Sequence, residues 1–168
     1  MIRFKVLPKS EFVLIAKDIF EILVNNMSSI APTGNSFDED FTDWNQAVSE
    51  GIQKPTRNII LIYAYDILVG FFQFYTNSDG LFMMEEIQLS PKYQGKEYNI
   101  FRLLYGFLFS ILPTNLITVQ AYVDKRNQKS QNILCHLGLH IIGENKNGNS
   151  FHYQGNYDDL LKWYHTKK

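Results

Sequence analysis

Glu85-Glu86-Ile87-Gln88-Leu89-Ser90-Pro91-Lys92-Tyr93-Gln94-Gly95-Lys96 is the stretch on which the reading of this chain turns. The run reads as a strand ending near Leu89, a Pro-marked turn, and a short polar loop that feeds an amphipathic helix. Ile100, Leu103, Leu104, Phe107, Leu108 and Ile111 fall at helical spacing and predict one buried stripe, which Pro113 stops. The first N–H groups of a helix lack partners inside it, and the aligned peptide dipoles add partial positive charge at that end. A strand that passes through a Gly-containing loop to such a terminus therefore builds a site for phosphate.

Working outward, Ile2, Phe4 and Val6 alternate with Arg3 and Lys5 as a half-buried strand over 2–7. Ser10 is placed to cap a helix with Phe12, Ile15, Ile19 and Leu23 on its buried face. Ser36 and Glu39 have the spacing of a capping box, followed by a face of Phe37, Phe41, Trp44 and Val48. Asn58–Tyr65, Ile67–Tyr75 and Leu81–Leu89 read as an antiparallel meander, with turns at Asp66 and at Asn77-Ser78-Asp79-Gly80. Leu116–Val123 is a further strand, and Gln128–Leu137 a helix ended by Gly138. His140–Glu144 and Ser150–Gln154 form a hairpin around Asn145-Lys146-Asn147-Gly148. A short helix over Tyr157–Tyr164 has Asp158 and Asp159 at its start and lysines, Lys167 and Lys168, beyond its end. The element order is β-αα-βββ-α-β-α-ββ plus that last helix.

A chain of 168 residues with 45% hydrophobic and 15% aromatic side chains suits one globular domain, 1–168, with a sizeable core. The formal net charge of −1 and the lack of a long basic run argue against a nucleic-acid partner. The nearest basic patch, Lys125-Arg126 with Lys129, reads as solvated surface. No apolar run has the length of a membrane span, and the charged N-terminus is no signal peptide, so no membrane and a cytoplasmic location are expected. Cys135, the single cysteine, has no internal partner and reads as a small core residue. The four histidines show no ligand spacing, so no metal site is expected.

The opening stretch resembles the coenzyme A-binding motif of the GCN5-related N-acetyltransferase (GNAT) superfamily. In that family a strand ending in Val-x-Pro is followed by a loop of the form Arg/Gln-x-x-Gly-x-Gly/Ala. Leu89 takes the Val place, Pro91 and Tyr93 are as expected, and Gln94 opens the loop. Glu97 and Asn99 stand where the family has glycines. A second match comes later in the chain and in the right order. Asn127-Gln128-Lys129-Ser130, then Ile133-Leu134, then Gly138-Leu139, repeats the family's Asn-x-x-Ser/Ala…Leu-Tyr…Gly-Phe spacing, with Leu134 at the Tyr place.

The resemblance implies an α/β (α+β) fold with a mixed, bent central sheet and flanking helices, and acetyl-CoA or coenzyme A as cofactor. It implies cofactor contacts from Gln88, Leu89, Gln94, Gly95, Lys96, Glu97, Tyr98, Asn99 and Ile100, and from Asn127 and Ser130. It also implies acetyl transfer to a small-molecule or peptide amine, and leaves a homodimer open. An alkyl amine is almost wholly protonated at neutral pH, so the reaction needs a proton acceptor, and the oxyanion needs a donor. Glu85 aligns with a carboxylate that several members place near the acceptor amine, and it shares a strand face with Ile87 and Leu89. Glu97 beside two phosphates costs on the order of 1 kcal/mol in a near-aqueous dielectric. Leu134 cannot protonate the leaving thiolate, a role that falls to Tyr122, Tyr153 or water. Two functions compete: an active N-acyltransferase, and a catalytically weakened acetyltransferase-like module that senses acyl-CoA or binds a protein.

Overall fold

The computed structural model describes residues 1–166, so Lys167 and Lys168 lie outside the described residues. The elements are β1 (Ile2–Val6), α1 (Phe12–Met27), α2 (Phe37–Gly51), β2 (Arg57–Ala64), β3 (Ile67–Thr76), β4 (Leu81–Leu89), α3 (Ile100–Ile111), β5 (Thr118–Asp124), α4 (Gln128–His136), β6 (His140–Glu144), β7 (Ser150–Asn156) and α5 (Tyr157–Thr166). This is the element order read from the sequence. Short 3-10 turns cover Lys9–Glu11, Pro91–Tyr93 and Lys96–Tyr98. The strands form one mixed sheet of order β1-β2-β3-β4-β5-β7-β6. The links Tyr65-Asp66 and Asn77–Gly80 are too short for a crossover, so β2, β3 and β4 run antiparallel in succession. Tyr65 and Asp66 both have positive φ, as a two-residue hairpin turn demands, which is why β2 stops at Ala64 rather than at Tyr65. Contacts divide the chain into two compact units, Met1–Phe74 with Glu86–Ile100, and Tyr75–Glu85 with Phe101 onward.

In the first unit β1 pairs antiparallel with β2, setting Phe4 opposite Ile62. Phe12, Ala16 and Ile19 of α1 pack with Val48 of α2, Ile59 and Leu61 of β2 and Phe71 of β3. Burying each large apolar side chain here stabilises the fold by roughly 1.5–3 kcal/mol. The ring of Phe20 meets those of Phe37, Phe41 and Trp44 at 5.1–5.4 Å, locking α1 to α2. The expected capping box is present: Ser36 accepts from the Glu39 N–H, and Glu39 accepts from the Ser36 N–H. Ser10 is not a cap. It lies inside the 3-10 turn that Pro8 opens, where the Glu11 N–H bonds the Pro8 carbonyl, and Glu11 takes the N-cap place of α1.

In the second unit β4 and β5 run parallel, paired from Leu81 with Thr118 to Met84 with Ala121. That ladder ends there, although β4 continues to Leu89 and β5 to Asp124. β5 pairs antiparallel with β7, and β7 with β6. The stripe expected on α3 is rotated: Leu103 and Ile111 are exposed, and Ile100, Leu104, Tyr105, Leu108 and Leu112 are buried. Aromatic packing sets the rotation. Tyr105 lies under Met84, to whose sulfur its hydroxyl donates at 3.0 Å, and meets Trp163 of α5 at 5.5 Å. Gly106 gives the Tyr164 hydroxyl room that a β-carbon would fill. Arg102 donates to the Tyr164 carbonyl at 2.6 Å, a cation placed at the end of α5 where the helix dipole favours it. Gly138, at φ +92°, ends α4 in the left-handed conformation expected of a C′ glycine. Cys135 is exposed, not a core residue, because Leu134 and Leu137 take the inward positions of α4. Among the described residues no helix is long and apolar enough to cross a membrane.

Ser36→Ala removes the side-chain acceptor of the Glu39 N–H in the first turn of α2. Urea unfolding of this variant is expected to show a loss of about 1 kcal/mol.

Candidate functional site

Two side-chain amides converge at the end of β4. Asn26, near the end of α1, donates from Nδ2 to the Leu89 carbonyl at 2.8 Å and to Gln88 Oε1 at 2.9 Å. Gln94 donates from Nε2 to the same Leu89 carbonyl at 2.9 Å. A carbonyl oxygen has two lone pairs, so that of Leu89 is filled. Gln88 is buried and passes a hydrogen bond to Glu86 Oε1 at 2.6 Å, completing a polar chain from α1 to β4. β3 comes close here because Gly70 has no side chain: a β-carbon would stand 2.5 Å from the Gln88 carbonyl. The Ser90 N–H then bonds the Val69 carbonyl at 2.7 Å and turns the chain out of the sheet.

The loop beyond is two short turns. The Gln94 N–H bonds the Pro91 carbonyl, the Tyr98 N–H that of Gly95, and the Asn99 N–H that of Lys96. Three of the N–H groups expected to face a phosphate are thus used within the loop. Those of Gly95, Lys96 and Glu97 make no hydrogen bond among the described residues. Asn99 has φ 51°, ψ 28°, so the place where the family carries glycine is a left-handed one, and Asn suits it better than most side chains. Lys96 is exposed, and Lys92 sits over the Tyr93 ring, which meets that of Tyr98 at 4.9 Å. The Glu97 carboxylate lies back across Gly95, where a β-carbon would collide with it. Ile100, buried, opens α3. This arrangement offers backbone donors and two lysines to an anion, opposed by one carboxylate.

No protein-family model and no curated protein sequence matches the chain. Solved structures do. The PaiA N-acetyltransferase from Thermoplasma acidophilum, in complex with coenzyme A, superposes with a TM-score of 0.68 at 16% identity over 94% of this chain and 99% of its own. An acetyltransferase from Streptococcus agalactiae gives 0.71 at 12% identity, over 92% and 98%. The spermidine N-acetyltransferase from Vibrio cholerae, in complex with coenzyme A and spermine, gives 0.63 at 16% identity, over 95% and 98%. The chain has the acetyltransferase fold.

In the unit of the fold that holds β5, β7 and α4, the second motif is structural at its start. Asn127 caps α4, its side chain accepting from the half-buried Ser130 N–H at 3.2 Å. Leu134 is 7% exposed, so the place of the family's Tyr is a packed one. Glu85 is half-buried on β4. Tyr153 is fully buried, with its phenol pushed up mainly by burial and also by the nearby Cys135 thiol. Tyr122 is exposed. The basic patch is locally neutralised: Lys125 pairs with Glu144 at 2.6 Å, and Arg126 holds both oxygens of Asp124, keeping that carboxyl below its usual range. Among the described residues no cluster of three His, Cys, Asp or Glu could hold a metal.

Asn26 and Gln131 are the polar residues that reading the sequence missed. Gln131 is buried on α4, donating to the Lys125 carbonyl at 2.9 Å. Asn26 meets its partners 62 and 63 positions away, and no local pattern marks it. Asn26→Ala leaves the buried Gln88 oxygen without its donor. A loss of about 1–3 kcal/mol in chemical denaturation is expected, with Asn26→Asp no better because its oxygens cannot donate.

Proposed function

We propose that the chain is an acetyl-CoA-dependent N-acetyltransferase, with residues 1–168 acting as a single domain and an amine as acceptor. The observation that carries this is the end of β4. Its strand outruns the β5 ladder beyond Met84, then passes through a loop with open N–H groups at Gly95, Lys96 and Glu97 onto a buried helix start at Ile100. Backbone donors at a helix entrance favour a pyrophosphate. Freed β4 backbone can pair with an extended, amide-bearing arm. The same fold holds coenzyme A in the Thermoplasma protein, and coenzyme A with spermine in the Vibrio protein. Gln88, Leu89, Gln94, Tyr98 and Asn99 are the cofactor-contacting residues of the loop unit in this reading, and Asn127 and Ser130 are those of the other unit. A chain with one cysteine, acting on a metabolite, fits the cytosol.

Few of this chain's residues are needed for the chemistry. Bound acetyl-CoA supplies an activated acetyl thioester. Glu85 takes the proton of the amine, directly or through water, so that the nitrogen attacks as a neutral nucleophile. Leu134 offers no hydroxyl to the departing sulfur, which leaves as thiolate or is protonated by water. A second reading, a module that binds acyl-CoA without turning it over, is favoured by two features: the Glu97 carboxylate lying across Gly95, and the packed Leu134.

Calorimetry with coenzyme A tests the binding that both readings require. Glu97→Gly is expected to bind roughly fivefold tighter than the parent, from relief of about 1 kcal/mol of repulsion. Gly95→Pro removes a donor and is expected to weaken binding. No heat from either the parent or Glu97→Gly at high micromolar coenzyme A ends the cofactor assignment.

The rate of thiol release with a panel of amines tests the base. Glu85→Gln is expected to lower it about a hundredfold or more at neutral pH, with the loss shrinking as pH rises and free amine accumulates. A rate unchanged across that range makes Glu85 a structural carboxylate, and tight cofactor binding without turnover selects the second reading.

A further inference from the structure

Gln120, Tyr122, His152 and Gln154 lie on one face of the β5–β7 pair, in the register Gln120 with Gln154 and Tyr122 with His152. Their neighbours Val119, Ala121 and Tyr153 point to the opposite face and are buried there. One side of this ribbon is therefore closed core. The other is polar and partly open, with Tyr122 46% exposed. Glu85 belongs to the open side. Met83 pairs with Gln120 and Met84 with Ala121, so strand alternation puts Glu85 on the face of Gln120 and Tyr122, just past the end of the ladder.

The hydrogen bonds on this face have a direction. Gln120 donates from Nε2 to Gln154 Oε1 at 2.8 Å, which leaves Gln120 Oε1 to meet His152 Nε2 at 2.9 Å. An amide oxygen only accepts, so Nε2 carries the proton, and Nδ1 of the neutral ring is an acceptor. Among the described residues nothing donates to Nδ1. The ring lies flat on Tyr122, with centroids 4.2 Å apart and planes 11° from parallel. Burial lowers the His152 pKa, so the ring stays neutral further into acid than a free imidazole.

The ionisable groups of the elements around His152 are few. β5 brings Tyr122 and, two residues on, Asp124, already held by Arg126. β6 brings His140, opposite Gln154, while its Glu144 pairs with Lys125 and stands opposite Phe151. β4 brings Glu85, and α5, packed on β7, opens with Asp158 and Asp159. The strand residues of this face include no lysine or arginine. The face presents acceptors and electron-rich rings, which is chemistry for a cation or a hydrogen-bond donor.

We propose that this face reads the far end of the acceptor and selects an elongated diamine, its reacting nitrogen toward Glu85 and its second ammonium against Tyr122 and Nδ1 of His152. The inference rests on the acetyl-transfer reading above and adds the substrate class. β4 and β7 flank β5, so at Glu85, just past the end of the β4–β5 ladder, their backbones stand at least two strand spacings apart, about 10 Å. Diaminoheptane spans that distance, and ethylenediamine does not. Protonation of His152 turns both ring nitrogens into donors and sets a positive charge against the second ammonium. The face therefore loses the diamine as pH falls through the His152 titration.

The test has two arms. In the first, ring resonances of His152, assigned by their loss in His152→Asn, are followed while the protein alone is titrated with diaminoheptane, heptylamine or ethylenediamine. They are expected to move saturably with diaminoheptane only. In the second, acetyl transfer to diaminoheptane and to heptylamine is compared. His152→Asn is expected to cut kcat/KM for diaminoheptane about tenfold, through KM, and to leave heptylamine within about twofold. KM for diaminoheptane should rise as pH falls through the titration seen in the spectra. A ring that ignores diaminoheptane, or that moves equally with heptylamine, overturns the proposal, and so does an equal loss for both amines. If His152→Asn does not fold, triple-resonance assignment of the parent identifies the ring, and its titration decides. Acetylation of both amines without preference defeats this inference and leaves the acetyl-transfer reading standing. Selective ring movement without coenzyme A binding does the reverse.

Discussion

The Leu89 carbonyl accepts from Asn26 and from Gln94, and the rest of the site hangs on that oxygen. A strand that continued past Leu89 would carry the chain on along the sheet. Both lone pairs of Leu89 are instead taken by side chains, one from α1 and one from the loop itself, and the next N–H, that of Ser90, is drawn to Val69. The chain must turn out of the sheet at this point, and the loop of Gln94 to Asn99 starts from a fixed place. Gly70 is part of the same constraint, because only a residue without a β-carbon lets β3 approach the Gln88 carbonyl so closely.

Within that loop, charges of both signs are set against each other. Lys92 and Lys96 favour an anion and Glu97 opposes it. The backbone decides how much of the loop can bind, because its two 3-10 turns use the N–H groups of Gln94, Tyr98 and Asn99 internally. The Glu97 carboxylate folded across Gly95 and the donors spent inside the loop both weaken its pull on any anion. Asn99 shows that one of the two departures is conformationally neutral: the position is left-handed, and asparagine adopts it at low cost.

The unit that carries β5, β7 and α5 separates a packed face from a polar one by strand alternation alone. Val119, Ala121 and Tyr153 close one side, while Gln120, Tyr122, His152 and Gln154 stand on the other. On the packed side, aromatic rings of α3 and α5 set how the helix is rotated, and Tyr105 buried under Met84 has its phenol pushed up by desolvation. That burial is structural. The Tyr122 hydroxyl and the His152 ring stand on the opposite, open face.

Local pattern alone determined the element order, the bounds of β4, the capping box of Ser36 and Glu39, and the glycine that ends α4. Each rests on a spacing of a few residues, where backbone periodicity and cap chemistry act. The segment of Gln94 to Asn99 was legible as the loop that joins β4 to α3 for the same reason. Four matters were decided only by tertiary structure: which side of α3 is buried, that Ser10 caps nothing, that Cys135 is exposed, and that Asn26 holds the end of β4. The rotation of α3 depends on Met84 and Trp163, and the role of Asn26 on residues more than sixty positions away. A helical stripe has soft edges, where Leu103 and Tyr105 compete for the core. Packing partners distant in sequence settle such a contest, and no spacing within the helix records them.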